Sequence, residues 1–225
     1  MTCVRRTRQG VVLIMALLGS ILVVAQPAAK ADESSADDVY TVLVTGANRG
    51  LGLEFARQYA ESGWRVIGTA RKPGQAKELE ALGVRVVQLD VADQGSVDRM
   101  AAELAGHSID VLINNAGIFP RVGTIAEIDF DDYSRTLAVN TIGPVRVTRA
   151  LLPNLRQGKL KVIAGLSSNL GSIAENERGN FYGYRESKAA LNMFTKTLAA
   201  ELGPDGFICV VLTPGWVQTD MGGPN

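Results

Sequence analysis

The chain reads as one α/β domain: a doubly wound parallel sheet of six strands with helices on both faces. Three observations predict it. Short β-branched apolar runs alternate with helical stretches along the chain. A glycine-rich turn, TGANRGLG at residues 45–52, directly follows the first such run. Polar residues suited to chemistry then recur where strands end, the side on which open parallel sheets bind ligands.

Residues 39–45 (VYTVLVT) carry the signal of a buried strand. After the glycine turn a helix is predicted over residues 50–62, closed by Gly63. Residues 65–69 (RVIGT) form a second strand, and 75–82 a short helix stopped by Gly83. Residues 84–89 are a third strand, 95–105 a helix and 110–113 (DVLI) a fourth strand. Asp129 can cap a long helix that runs to residue 152 and is halted by Pro153. A fifth strand at 160–166, a helix at 184–202 and a sixth strand at 207–212 complete the alternation. Such alternation implies right-handed crossovers and a sheet covered on both faces.

A length of 225 residues suits one domain with a sizeable core. The 23 basic and 23 acidic residues cancel, so charge gives no reason to expect a nucleic-acid partner. One histidine (His107) and two cysteines (Cys3, Cys209) point away from a metal site and a disulfide framework. Residues 1–31 differ from the rest. Arg5, Arg6 and Arg8 precede an apolar run at 11–25, and Ala29-Lys30-Ala31 then offers a small-x-small cleavage site. That is the layout of a secretory signal, with an uncleaved membrane anchor as the alternative. The expected location is therefore secreted or periplasmic, or else membrane-anchored. Cleavage after Ala31 would leave 19 basic against 23 acidic residues, net −4. Residues 32–38 (DESSADD) read as a flexible acidic leader, and 39–225 as the domain itself.

The turn Gly46-Ala47-Asn48-Arg49-Gly50-Leu51-Gly52 joins the first strand to the first helix. Glycines let backbone approach a phosphate closely, and a helix N-terminus favours its negative charge. A purely structural turn is the competing reading. At the end of strand two, where an acid would bind a ribose 2′-hydroxyl, the chain has Thr69-Ala70-Arg71-Lys72. Arg71, helped by Arg49, can pair with a 2′-phosphate, which favours NADP(H) over NAD(H). Solvated surface charge is the alternative. Asp90-Val91 ends strand three, where Asp90 could accept from an adenine amino group or merely form an Asx turn. Asn114-Asn115-Ala116-Gly117 ends strand four, and its small residues would leave room for a ribose.

TGANRGLG, NNAG, Asn140, Leu166-Ser167-Ser168, YRESK (184–188) and Pro214-Gly215 occur in this order. Together they resemble the short-chain dehydrogenase/reductase family, its C-factor and carbonyl-reductase-like branch, over almost the whole domain. The resemblance implies a Rossmann fold and a hydride exchanged between NADP(H) and a small to medium carbonyl or alcohol. Tyr184 would be the acid of carbonyl reduction and the base of alcohol oxidation. A free phenol has a pKa of about 10, and the ammonium of Lys188 one turn on would lower it. Lys188 would also hold the nicotinamide ribose. Ser168, with Ser167 as fallback, would bond the substrate oxygen, and Asn140 would support a water relay to Lys188. Pro214, Gly215, Val217 and Thr219 would lie along the nicotinamide. The assembly would be a monomer or a homodimer.

Two departures from the family pattern carry expectations. The spacing from Ser168 to Tyr184 is longer than in many members, with the extra residues at 171–180 beside the expected substrate site. The chain also ends at Asn225, so the usual substrate-covering segment and seventh strand are expected to be missing.

Overall fold

The computed structural model describes residues 39–217, 221 and 223. The predicted export signal, the acidic leader and Thr219 lie outside the described residues. Among the described residues no helix is long and apolar enough to cross a membrane.

Six parallel strands form one sheet in the order β3-β2-β1-β4-β5-β6. They are β1 (Thr41–Val44), β2 (Arg65–Ala70), β3 (Arg85–Gln88), β4 (Val111–Asn114), β5 (Val162–Leu166) and β6 (Ile208–Leu212). The helices are α1 (Gly50–Glu61), α2 (Lys77–Glu80), α3 (Gln94–Glu103), α4 (Phe130–Leu137), α5 (Gly143–Gln157) and α6 (Tyr184–Leu202).

Period-two alternation sends neighbouring strand residues to opposite faces. Val42 and Val44 pack with Phe55 and Tyr59 of α1 and Leu79 of α2. Leu43 packs on the other face with Val97 and Met100 of α3, Val147 and Leu151 of α5 and Leu202 of α6. Each fully buried Leu, Ile or Val contributes roughly 1.5–3 kcal/mol, so two filled layers hold the sheet between its helices. Buried Asp110 pins the amino ends of the strands: Oδ2 accepts from Thr41 N at 2.7 Å and Oδ1 from Lys159 N at 2.6 Å.

The long helix expected up to residue 152 is instead α4, a π-helical turn at Ala138–Ile142, and α5. Asp129 caps its start as expected, accepting from Asp131 N and Asp132 N. Pro153 does not halt it; α5 runs on to Gln157 with Pro153 inside. Proline removes one helical hydrogen bond, here to the carbonyl of Arg149. Both residues lie on the exposed face, where water can take that carbonyl.

The strand order reverses between β1 and β4, which makes the crevice at their carboxyl ends the switch point of the sheet. Thr45 holds its floor. The Thr45 hydroxyl accepts from Asn115 N and Ala116 N, both at 3.0 Å.

Candidate active site

The glycine turn sits over that switch point. Gly46 and Gly50 adopt φ of +64° and +55°, left-handed values that favour glycine. A Cβ on Gly52 would stand 2.3 Å from Gly46 O and 2.5 Å from Asn115 Nδ2. Asn115 donates to Thr45 O at 2.8 Å and Gly46 O at 3.1 Å, so its amide stitches the turn to β4. Ala116 lies against Gly46, whose Cβ would come within 3.1 Å of it. Leu51 packs on the core beneath, while Asn48, Arg49 and Gly50 form the exposed rim. The first turn of α1 holds no acidic residue, so the positive end of the helix is left for an external anion.

The outer part of the crevice holds the other predicted binding residues. Arg71 is exposed just past β2. Asp90 Oδ1 accepts from Ala92 N at 3.0 Å, so the Asx turn is present and takes one carboxylate oxygen. Val91 is buried against Gly143, where a Cβ would lie 2.9 Å from Val91 Cγ2. Pro214, Gly215 and Val217 follow β6, with Gly215 at φ +71°.

The four predicted catalytic residues converge. Tyr184 opens α6, and Lys188 follows one turn later on the same face; both are buried. Ser168 follows β5 and hydrogen-bonds the Tyr184 phenol. Ser167 does not compete for that role: its hydroxyl donates to Asn192 Oδ1 at 2.5 Å. Asn140 lies in the π-helical turn, a feature often found at functional sites. Its Nδ2 donates to Ile118 O at 2.9 Å and Ser187 Oγ at 3.0 Å, and its Oδ1 accepts from Ile118 N at 2.9 Å. Both amide hydrogens are thus committed. Asn140 is a brace between the loop after β4 and α6, with one lone pair of Oδ1 left for a relay. Gly117 keeps open the space before it: a Cβ there would lie 3.4 Å from Asn140 Oδ1 and 3.8 Å from Lys188 Nζ.

Electrostatics differ from the expectation that Lys188 lowers the Tyr184 pKa. Burial raises the phenol above its ordinary value of 10, and hydrogen bonding by Ser168 opposes this. Lys188 is itself pushed down to about 8 by burial. Its Nζ donates to Leu166 O at 2.6 Å and stands 5.5 Å from the Tyr184 ring centroid. The ammonium is directed at a backbone carbonyl.

Sequence reasoning missed four residues at this site. Asn192 holds Ser167 and also donates to Gly171 O at 3.4 Å, clamping both sides of Ser168. Its position four residues after Lys188 puts it on the catalytic face of α6, a signal the sequence carried. Ser187 links Asn140 to Tyr184 O, to which it donates at 2.7 Å. Phe119 packs on the Tyr184 ring with centroids 4.3 Å apart, and Arg185 binds the loop before α6. Of two cavities, one lies away from the site and one borders it. One of about 540 Å³, lined by Trp64, Arg85 and His107, lies among residues at the amino ends of the strands and contains no site residue. One of about 400 Å³ lies on the outer stripe of α6, by Arg185, Glu186 and Ala189.

A glycine turn at the switch point of a doubly wound sheet, with a half-buried serine and a buried tyrosine–lysine pair beside it, defines a Rossmann-type oxidoreductase. The short chain dehydrogenase model matches residues 40–225, and the chain belongs to that family. It is 51% identical to the C-signal protein of Myxococcus xanthus over 117 residues, 52% of this chain and 70% of that one. It is 35% identical to 1-hydroxy-2-glutathionyl-2-methyl-3-butene dehydrogenase of a Rhodococcus species, covering 80% of this chain and 79% of the relative. Among solved structures, the NADPH-bound carbonyl reductase from chicken fatty liver aligns with a TM-score of 0.77 at 38% identity, over 83% of this chain and 80% of the other. A short-chain dehydrogenase/reductase of Burkholderia multivorans with bound NADP gives 0.76 at 35% identity, over 83% and 84%.

Proposed function

We propose that the protein is an NADPH-preferring carbonyl reductase that works in reverse as an alcohol dehydrogenase on small to medium substrates. The observation that carries this reading is the convergence of Ser168, Tyr184 and Lys188 before the side-chain-free Gly117. The likeness to a carbonyl reductase with NADPH bound and to a short-chain dehydrogenase/reductase with NADP bound supports the choice of cofactor.

The residues present fit a dinucleotide. Gly46, Gly50 and Gly52 leave backbone bare at the N-terminus of α1, where a diphosphate would sit. Arg71 and Arg49 would take the 2′-phosphate, Asp90 and Val91 would border the adenine, and Asn115 to Gly117 would border the ribose. When bound, the nicotinamide supplies the hydride. Tyr184 gives its phenolic proton to the carbonyl oxygen, and Ser168 donates a hydrogen bond to the same oxygen as negative charge develops on it. A phenol raised by burial stays protonated through neutral pH, as reduction requires. Lys188, whose Nζ faces the space that Gly117 leaves, would hold the ribose hydroxyls. Asn140 fixes the spacing between that space and α6.

A second reading, a dinucleotide-binding signalling protein with little turnover, draws on the likeness to the C-signal protein. Titration of the purified chain with NADPH and NADH, followed by reduction assays across aldehydes and ketones, separates the two. NADPH-preferring binding with turnover that Tyr184→Phe sharply reduces supports the reductase. Tight binding without turnover of any carbonyl compound supports the second reading. The proposal includes export or membrane association through the N-terminal segment, tested by locating the chain in cell fractions.

A further inference from the structure

The segment before α6 has an unusual backbone. Gly179, Asn180, Phe181 and Gly183 have φ of +64°, +57°, +55° and +77°. Glycine adopts such values freely and asparagine tolerates them, but a bulky aromatic residue there is an outlier held by its surroundings. Arg185 is what holds it. Its Nε donates to Gly179 O at 3.1 Å and Asn180 O at 3.0 Å, and its Nη2 to Asn180 Oδ1 at 3.3 Å. The guanidinium also stands 5.8 Å from the centroid of the Phe181 ring. From the other side, Phe181 N donates to Val122 O at 2.7 Å, tying the segment to the loop after β4.

This fixed conformation brings Phe181 to Phe119, with centroids 5.2 Å apart, and Phe119 in turn lies 4.3 Å from the Tyr184 ring. Both phenylalanines are half-buried, so each keeps ring surface open to a ligand. Arg121 stands 5.5 Å from the Phe119 centroid and donates to Met221 O at 3.2 Å, which steadies the far end of the row. All these residues lie at the carboxyl end of the sheet, next to the phenol that meets the substrate oxygen.

We propose that Phe119 and Phe181 form an aromatic wall that selects carbonyl compounds with a flat aromatic group on the reacting carbon, and that Arg185 is the positioning residue that builds it. The inference rests on the reductase reading of the site and adds its substrate class. A carbonyl oxygen bonded to the Tyr184 phenol would set its substituents beside a ring against which Phe119 packs. Offset or edge-to-face contact with a planar ring gains over a saturated ring of equal bulk, by about three- to ten-fold in affinity.

The test measures binding of acetophenone and of cyclohexyl methyl ketone to the full chain in complex with NADP⁺, which cannot reduce either. Acetophenone is expected to bind about three- to ten-fold tighter. Phe181→Leu and Arg185→Ala are expected to bring the two affinities together while NADP⁺ affinity stays unchanged, and Phe181→Tyr is expected to keep the preference. Equal affinities in the wild type, or a preference that survives Phe181→Leu and Phe119→Leu, would overturn the wall. Reduction with NADPH is read separately. A chain that reduces ketones without aryl preference sinks the wall and leaves the reductase standing. A chain that binds acetophenone through the two phenylalanines but reduces nothing sinks the reductase and keeps the wall.

Discussion

Lys188 Nζ donates to the backbone oxygen of Leu166 at 2.6 Å, across the junction of α6 and β5. The side chain is buried, and burial pushes its pKa from 10.5 down to about 8. A lysine lowered in this way binds its proton less tightly folded than unfolded. Stability therefore rises as pH climbs from about 8 towards 10.5, and the full penalty, about 3 kcal/mol, applies below pH 8. Lys188→Met removes that penalty but leaves Leu166 O without its donor, at about 1–3 kcal/mol. The variant is expected to lose reductase activity and to lose the rise in stability between pH 8 and 10. Urea unfolding of both proteins at pH 7 and pH 10 checks this; an identical slope with pH in the two would contradict the origin assigned to it.

Tyr184 and Ser168 oppose each other in a measurable way. Burial raises the phenol and the serine hydrogen bond lowers it. The ultraviolet titration of the cofactor-free protein, minus that of Tyr184→Phe, is expected to show this phenol ionising above 10. Ser168→Ala is expected to move it higher still. Activity should fall about 10²–10⁴-fold in Tyr184→Phe, the range for loss of a general acid, with NADPH affinity retained. A downward shift in Ser168→Ala would mean that the serine does not favour the phenolate.

Much of this was legible in the sequence, for identifiable reasons. The helix expected at 184–202 is α6 with those bounds, and the six strands follow from their β-branched runs. The glycine turn was legible because Gly52 admits no Cβ at its contact with Gly46 O. The break at Ala138–Ile142 was not, since a π-turn leaves helical periodicity almost intact. Nor did Pro153 reveal that its lost hydrogen bond falls on the solvent face of α5. Within the site, the family resemblance marked Tyr184, Lys188 and Ser168, but the bond that ties Ser167 to Asn192 was not legible in the sequence. The left-handed Phe181 was illegible, because only the Arg185 bonds and the Val122 contact impose it.

Gly52→Ala tests the cradle. The new methyl would meet backbone oxygen and the Asn115 amide, neither of which is the free end of a flexible side chain. Overpacking of this kind costs about 1–3 kcal/mol, and pushing Gly46 away displaces the turn proposed to carry the diphosphate. Thermal unfolding should show the loss of stability, and NADPH titration a weaker complex. A variant that is destabilised yet binds NADPH with unchanged affinity would separate the turn from the cofactor.

Asn192 is expected to act on catalysis through Ser168 without touching substrate. It accepts from Ser167 and donates to Gly171 O, so it fixes the chain on both sides of the serine. In Asn192→Ala the Ser167 hydroxyl loses its acceptor in a partly buried place, which costs about 1–3 kcal/mol. The turn can then drift, and positioning errors of about 1 Å reduce rate by as much as 10²-fold. The expected result is a lower kcat with little change in NADPH affinity. Asn192→Asp keeps the acceptor for Ser167 but loses the donor to Gly171, and should recover part of the rate. Ser167→Ala removes the same bond from the other side, so Asn192→Ala made in that background should add only the smaller loss that comes from the bond to Gly171 O. Losses that multiply in the double variant would show that the two side chains hold Ser168 independently.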